Sequence, residues 1–267
     1  MSFVTQVIRE QFSNSHLIVR LATYDIKSSY QMHYLGVVWQ FLNPVAQVLV
    51  YWFVFGLGIR GGSPVGDVPF FVWLVIGLIP WFFISPTITQ ASNSVYSKVN
   101  LVSKMKFPIS VLPMITIIKN SFNFIVMFLI LGVILYIYGI NPGSYLIQLP
   151  YYFFAMYTFL FSITLLFSTL STIVRDFQFA VQSTMRILFF LTPILWDFGE
   201  MPTNLQNFLK LNPFYYLIEG FRNTLLGDEW FFNDMSYTFY FWFITLLMLT
   251  VGSFLHIKFR NKFVDYL

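Results

Sequence analysis

No cysteine occurs in these 267 residues, which excludes a disulfide framework and any thiolate chemistry. Charge is scarce as well: 10% of the residues are Asp, Glu, Lys or Arg, against about a quarter in a soluble domain. A chain so poor in charge, and 57% hydrophobic, reads as an all-α integral membrane protein. No glycine is followed by lysine, so the phosphate-cradling GxxxxGK loop is missing and no ATPase site is expected in this chain. His16, His33 and His256 stand apart, without HxxxH or HExxH spacing, which argues against a metal site. Every Asp and Glu falls outside the apolar runs and no internal repeat is visible, which argues against an ion-coupled carrier. The close acid pairs Asp197/Glu200 and Asp228/Glu229 read as solvated loop ends, and no clustered acid or base suits a membrane-embedded transferase. Basic residues flank the apolar runs and do not interleave with exposed aromatics, so nucleic acid is not an expected partner. The opening MSFVTQVIREQF lacks the basic-then-apolar pattern of a cleavable signal peptide.

What the sequence has is long apolar runs. Six spans are expected, at 37–59, 70–88, 111–138, 145–170, 179–195 and 237–255, each near the ~20 residues that a bilayer demands. GGSPVGDVP (61–69) and GINPGS (139–144) separate pairs of them. Residues 1–35 form a mixed polar segment in which Phe3, Val4, Val7, Ile8 and Phe12 make a helical stripe opposite Gln6, Arg9 and Glu10. Such a helix lies on the bilayer, packs on the rest of the protein, or does both. Between the second and third spans, Val95, Val99 and Val102 share a helical stripe with Leu101 and Met105 beside it, while Lys98, Ser103 and Lys106 lie elsewhere. The amphipathic helix over 95–107 is either a plain connector or a handle for a cytosolic partner. Residues 196–230 contain a 13-residue apolar stretch after Asn212-Pro213; at about 20 Å it is too short to cross. A re-entrant helical hairpin, backed by protein, is the expected arrangement there. Residues 256–267 form a short tail.

Orientation follows from Lys and Arg in the loops. With the amino terminus in the cytosol, Arg9, Arg20, Lys27, Lys98, Lys104, Lys106, Arg175, Lys258, Arg260 and Lys262 are inside, against Arg60, Lys210 and Arg222 outside. Both termini and the 95–107 segment are therefore expected on the cytosolic side of a plasma membrane. Lys119 and Arg186 fall within spans, and an ionisable residue there is a functional hypothesis. Either they attract an anionic substrate, or they snorkel to headgroups or pair with Asp176 or Asp25. Gln40, Asn43 and Gln47 make the first span unusually polar around Pro44, so one of its sides faces a partner or a conduit. Trp39, Tyr51, Trp52, Trp73, Trp81 and Trp196 lie near span ends, as an interfacial belt or as rings that stack sugars.

Three segments carry a family resemblance. YDIKSSYQMHYLGVVWQFLNP (24–44) resembles the opening motif of ABC-2 type polysaccharide export permeases. LVSKMKFPISVLP (101–113) is similar to that family's cytosolic motif. VRDFQ (174–178), TPILWDFGEMP (192–202) and LNPFYYLIEGFRNTLLG (211–227) resemble its closing signature. Within the family the pattern is most similar to teichoic acid translocation permeases of Gram-positive bacteria, with Ser29 standing where many relatives carry Arg. The resemblance implies a homodimer of six-span subunits, joined to two copies of a separate ABC ATPase that binds ATP and Mg. This chain then holds no cofactor. An undecaprenyl-type lipid-linked teichoic acid is the implied substrate, with another lipid-linked polysaccharide, of O-antigen or capsule type, as the alternative. The ATPase would be contacted by the coupling residues Val95, Val99, Leu101, Val102, Lys104, Met105, Phe107 and Pro108 and by Phe3, Val7, Phe12, Tyr24, Asp25 and Lys27. The candidate substrate path comprises Tyr30, Trp39, Gln40, Asn43, Gln47, Lys119, Asn123, Arg186, Phe189 and Trp196.

Overall fold

Apolar segments in lipid have no water to bond, so they satisfy their own peptide groups as helices. The computed structural model describes residues 2–31, 36–98, 107–197, 201–260 and 263. Among them lie eleven α-helices and no extended strand: α1 Phe3–Ser13, α2 Ser15–Gln31, α3 Gly36–Tyr51, α4 Phe70–Ser92, α5 Ser94–Ser97, α6 Leu112–Ile137, α7 Leu149–Ile173, α8 Phe177–Leu191, α9 Thr203–Leu209, α10 Pro213–Leu226 and α11 Met235–Phe259. α3 continues through the π-helical turns Trp52–Ile59. Five segments are long and apolar enough to cross a membrane: Leu42–Ile59, Phe70–Ser92, Ile109–Ile137, Gly143–Ile173 and Met235–Phe259. The chain is a multi-pass membrane protein by this measure.

The expected span at 179–195 is not one continuous helix. α8 has 15 residues, about 22 Å of helix against a hydrocarbon core of about 30 Å. Pro193 is the cause, because the residue before proline is driven out of the helical region. Thr192 accordingly has φ −104° and ψ 145°. The chain runs on through a buried, non-helical stretch to Leu195.

α4 is the axis of the bundle. Of its membrane-length stretch 78% is buried, against 11% for the stretch that includes α3. A helix apolar on every side belongs in a core, and α4 packs on α6, α7, α8 and α10. Phe83 of α4 stacks on Phe124 of α6 with ring centres 4.6 Å apart, while Phe159 of α7 meets Phe241 of α11 at 5.7 Å.

Two short helices, α9 and α10, occupy the segment where the hairpin is expected. Pro213 starts α10, the Asn212 side chain accepts a hydrogen bond from the Phe214 amide at 3.0 Å, and Gly227 closes the helix at φ 79°. α10 buries Phe214, Leu217 and Phe221 in the main core, which supplies the protein backing that a short helix needs.

At the opposite end of the bundle Ile18, Ala22, Val95, Val111, Leu112, Ile115 and Phe263 form a second cluster, with Phe107 packed on it. Here the expected partner surface is corrected. Val95 is fully buried within this chain, as is Val7 of α1, so neither is free to dock a second protein. Val95 is covered by α2 and the start of α6. Described helix in this region is limited to Ser94–Ser97; Val99, Leu101, Val102, Lys104 and Met105 lie outside the described residues. Phe107 and Pro108 are half-buried and precede a short 3-10 turn at Ile109–Val111. α1 is held down by Glu10, which accepts from Ser110 at 2.5 Å and pairs with Arg260 at 3.0 Å. Phe3 meets Phe254 edge to face, with ring centres 5.3 Å apart. The amino-terminal helix therefore packs on the protein.

Candidate functional site: a polar-rimmed aromatic groove

Three helices build the site. α3 contributes Asn43, Pro44, Gln47 and Tyr51; α4 contributes Trp81, Phe82, Ser85, Pro86, Thr89 and Gln90; and α8 contributes Gln182, Met185, Arg186, Phe189 and Phe190. Together they enclose an open groove of about 700 Å³. Its floor is aromatic: the Phe189 ring centre lies 5.3 Å from that of Tyr51 and 5.9 Å from that of Trp81. Trp81 is held in turn by Phe214 of the hairpin at 5.7 Å. Its rim is amide and hydroxyl, with Asn43 and Gln47 exposed. Pro44 and Pro86 cannot donate to the carbonyls one turn earlier, which leaves those oxygens as further acceptors. Arg186 stands exposed at the edge and makes no ion pair among the described residues.

The expected substrate path is thus gathered in part. Asn43, Gln47, Arg186 and Phe189 meet in the groove. Asn123 lines a smaller cavity of about 140 Å³ that shares Pro44, Phe82, Pro86 and Gln90 with it. Asn120, beside it, donates to Thr87 at 3.1 Å and to Gln90 at 3.4 Å. Lys119 is half-buried and lines neither space. Trp39 is half exposed away from the groove lining, and Trp196 donates to the Phe190 carbonyl at 3.1 Å. The side chains of Tyr30 and Gln40 lie outside the described residues. Asp25 is no partner for Lys119 or Arg186, because it pairs with Lys98 at 2.6 Å. Of the expected cytosolic interface, Phe12, Tyr24 and Lys27 are exposed and Phe3 is about half exposed.

Sequence reasoning missed a buried charge pair. Arg222 of α10 is 3% exposed, bonds Glu219 one turn back, and lies 3.7 Å from the centre of the Trp73 ring of α4. A Cβ at Gly77 would fall 2.8 Å from its Nη2, so the glycine makes room for the guanidinium. Burial raises the Glu219 carboxyl above its ordinary range, and Arg222 opposes that shift. The readable signal was the spacing, an acid and a base three residues apart inside an otherwise apolar 13-residue run. His256 is buried, with Nδ1 3.1 Å from the Thr169 hydroxyl. No group of three His, Cys, Asp or Glu side chains among the described residues is placed to hold a metal.

Known proteins share this architecture's sequence. The profile of the ABC-2 type transporter family matches residues 16–226. The O-antigen export system permease protein RfbA of Klebsiella pneumoniae is 25% identical over 94% of this chain and 95% of its own length. The protein of the same name from Myxococcus xanthus is 27% identical over 81% of this chain and 83% of its own. The polysialic acid transport protein KpsM of Escherichia coli is 22% identical over 76% of this chain and 78% of its own. These relatives are named as permease or transport proteins. With the profile covering most of its length, and the helical bundle and membrane-length segments as described, it belongs to the ABC-2 type transporter family.

Proposed function

We propose that this chain is the membrane subunit of an exporter that moves a lipid-linked polysaccharide, of O-antigen or capsule type, across the plasma membrane. The observation that carries the reading is the groove. Its aromatic floor suits the C–H faces of sugar rings, and its amide and hydroxyl rim suits their hydroxyl groups. The relatives, named for O-antigen export and polysialic acid transport, support the same substrate class. The exposed apolar face of α3, with Leu42, Val45 and Leu49 outward, is where a second copy would close the groove into a path. Two copies of a separate ATPase, binding ATP and Mg, would dock at the end of the bundle that carries Phe12, Tyr24 and Lys27. That end, with both termini, would face the cytosol.

A second reading, export of a polyol phosphate polymer such as wall teichoic acid, is favoured by Arg186 alone. One guanidinium at the groove edge is a phosphate ligand of the right kind. The test is to reconstitute the chain with its ATPase and to measure ATP hydrolysis with each lipid-linked polymer. The neutral polysaccharide is expected to stimulate hydrolysis, and Arg186→Gln to leave that stimulation unchanged. Stimulation by the polyol phosphate alone, lost in Arg186→Gln, would establish the second reading. Stimulation by neither would remove export of both polymers.

A further inference from the structure

The end of the bundle opposite Val95 holds a second cavity. It measures about 320 Å³, at the lower end of ligand-pocket sizes, and opens between the start of α7, one face of α10 and the start of α11. Its wall is a fixed structure. Buried Gln148 donates to the Glu229 carbonyl at 2.8 Å and accepts from the Phe231 amide at 2.9 Å. The Thr238 hydroxyl donates to the Phe231 carbonyl at 2.8 Å, so the segment carrying Glu229, Trp230 and Phe231 is tied at both ends. The rings of Tyr215, Tyr216, Trp230 and Tyr237 line the space. The Tyr237 hydroxyl is buried there without a hydrogen-bond partner among the described residues. Carboxylates of Glu219, Asp228, Glu229 and Asp234 line it as well.

We propose that this cleft is a saccharide-binding site, separate from the groove, that takes an uncharged sugar ring. Three observations select that ligand. The carboxylates are spread around the cavity and do not converge on a point, since no three of them are placed to share a cation. Dispersed acceptors suit a ligand with several hydroxyl donors, and hydrogen bonds to an ionised acceptor are the strong ones. An organic cation is met by competition: Lys210 already lies 5.9 Å from the centre of the Tyr237 ring, in the place a ligand ammonium would take. With Glu219 already paired to Arg222, an anionic repeat unit would still face Asp228, Glu229 and Asp234 against one lysine in the cleft. The site rests on the export reading for its purpose, as the station a sugar unit meets after the groove, and it narrows that reading toward neutral polymers.

Full-length protein in nanodiscs is titrated by calorimetry with mannotriose, galactotriose, tri(glycerol phosphate) and choline. Either trisaccharide is expected to bind saturably, with affinity lowered about tenfold by Glu229→Gln and by Trp230→Leu, each of which removes one contact of a hydrogen-bonded sugar. Gln182→Leu in the groove is expected to leave that component in place. Melting temperatures of the variants show whether each is folded, and Glu229→Gln keeps the backbone carbonyl that Gln148 binds. No saturable trisaccharide binding, binding unchanged in both folded cleft variants, or tighter binding of choline or glycerol phosphate would overturn the site. Export of neutral polysaccharide, followed in the same variants, keeps the two claims apart. Export that persists while the cleft binds nothing removes the cleft alone. Failure of the wild-type chain to export any neutral polymer removes the export reading, whatever the cleft binds.

Discussion

Gly220 gives a quantitative test of how the hairpin is seated. A Cβ built there would lie 1.9 Å from Cε1 and 2.4 Å from Cζ of Tyr152. Ordinary contact begins near 3.4 Å, so ring and helix would have to part by about 1.5 Å. The ring is held by its neighbours: Tyr152 is 3% exposed and packs against Tyr151, Tyr216 and Phe221 at 5.2, 5.8 and 6.1 Å. Overpacking a core costs about 1–3 kcal/mol, and a shift of this size belongs at the upper end. Alanine returns about 1 kcal/mol of helix propensity over glycine. Gly220→Ala should therefore lose about 2 kcal/mol, or roughly 4–8 °C in melting temperature by the scaling for chains of this size. Tyr152→Ala alone should lose about 3–5 kcal/mol by removing a buried ring. In that background the sign reverses, and Gly220→Ala should be neutral or stabilising by up to about 1 kcal/mol. The assay is thermal unfolding in detergent of the four members of this double-mutant cycle. If Gly220→Ala melts with the wild type and shows no coupling to Tyr152, α10 does not seat its glycine face on α7.

Other consequences follow from the same contacts. Arg222→Met should destabilise by about 2–4 kcal/mol in the same melt, below the full cost of orphaning a buried charge because the Glu219 side chain is 26% exposed. Arg222→Lys should not restore stability, since an ammonium cannot stack flat on Trp73. Burial raises the Glu219 carboxyl, so its protonated form favours the fold. That contribution is present at a pH below the ordinary carboxylate range and is lost as pH rises through the raised value. The melting temperature of Glu219→Gln should accordingly vary less over that window than the wild type's. Val95→Asp should unfold the end of the bundle that holds α2 and the start of α6, because the carboxylate would enter a closed apolar cluster. Limited proteolysis reports this, and an intact, uncoupled complex would contradict it.

Much of this was legible in the sequence for identifiable reasons. Run length alone located the five long spans, and Asn212-Pro213 marked the start of α10. Unpaired polar side chains in apolar helices need a common face, and Asn43 and Gln47 of the first span meet Arg186 of α8 in the groove. Lys119 obeyed the same reasoning and lies outside it. The 179–195 run misled on helix length alone, because hydropathy ignores backbone: Pro193 is apolar enough to extend a window and still ends the helix. Val95 misled for a different reason. Amphipathic spacing shows that an apolar residue will be covered and not by what, and here α2 and α6 cover Val95 within one chain. Arg222 was placed among loop charges: the Glu219 spacing hints at a pair, but nothing local points to Trp73, 149 positions away in the chain, as the ring it stacks on.

The central claim is that the polymer passes through the groove between α3, α4 and α8. The cysteine-free chain allows a direct test. A single Gln182→Cys in the groove and a single Ser63→Cys at the exposed turn between α3 and α4 are each labelled to completion with a bulky maleimide, and ATP-driven export of lipid-linked polysaccharide is measured in vesicles. Labelling at position 182 is expected to stop export while labelling at 63 leaves it unchanged. Full export with the groove position blocked would contradict the account.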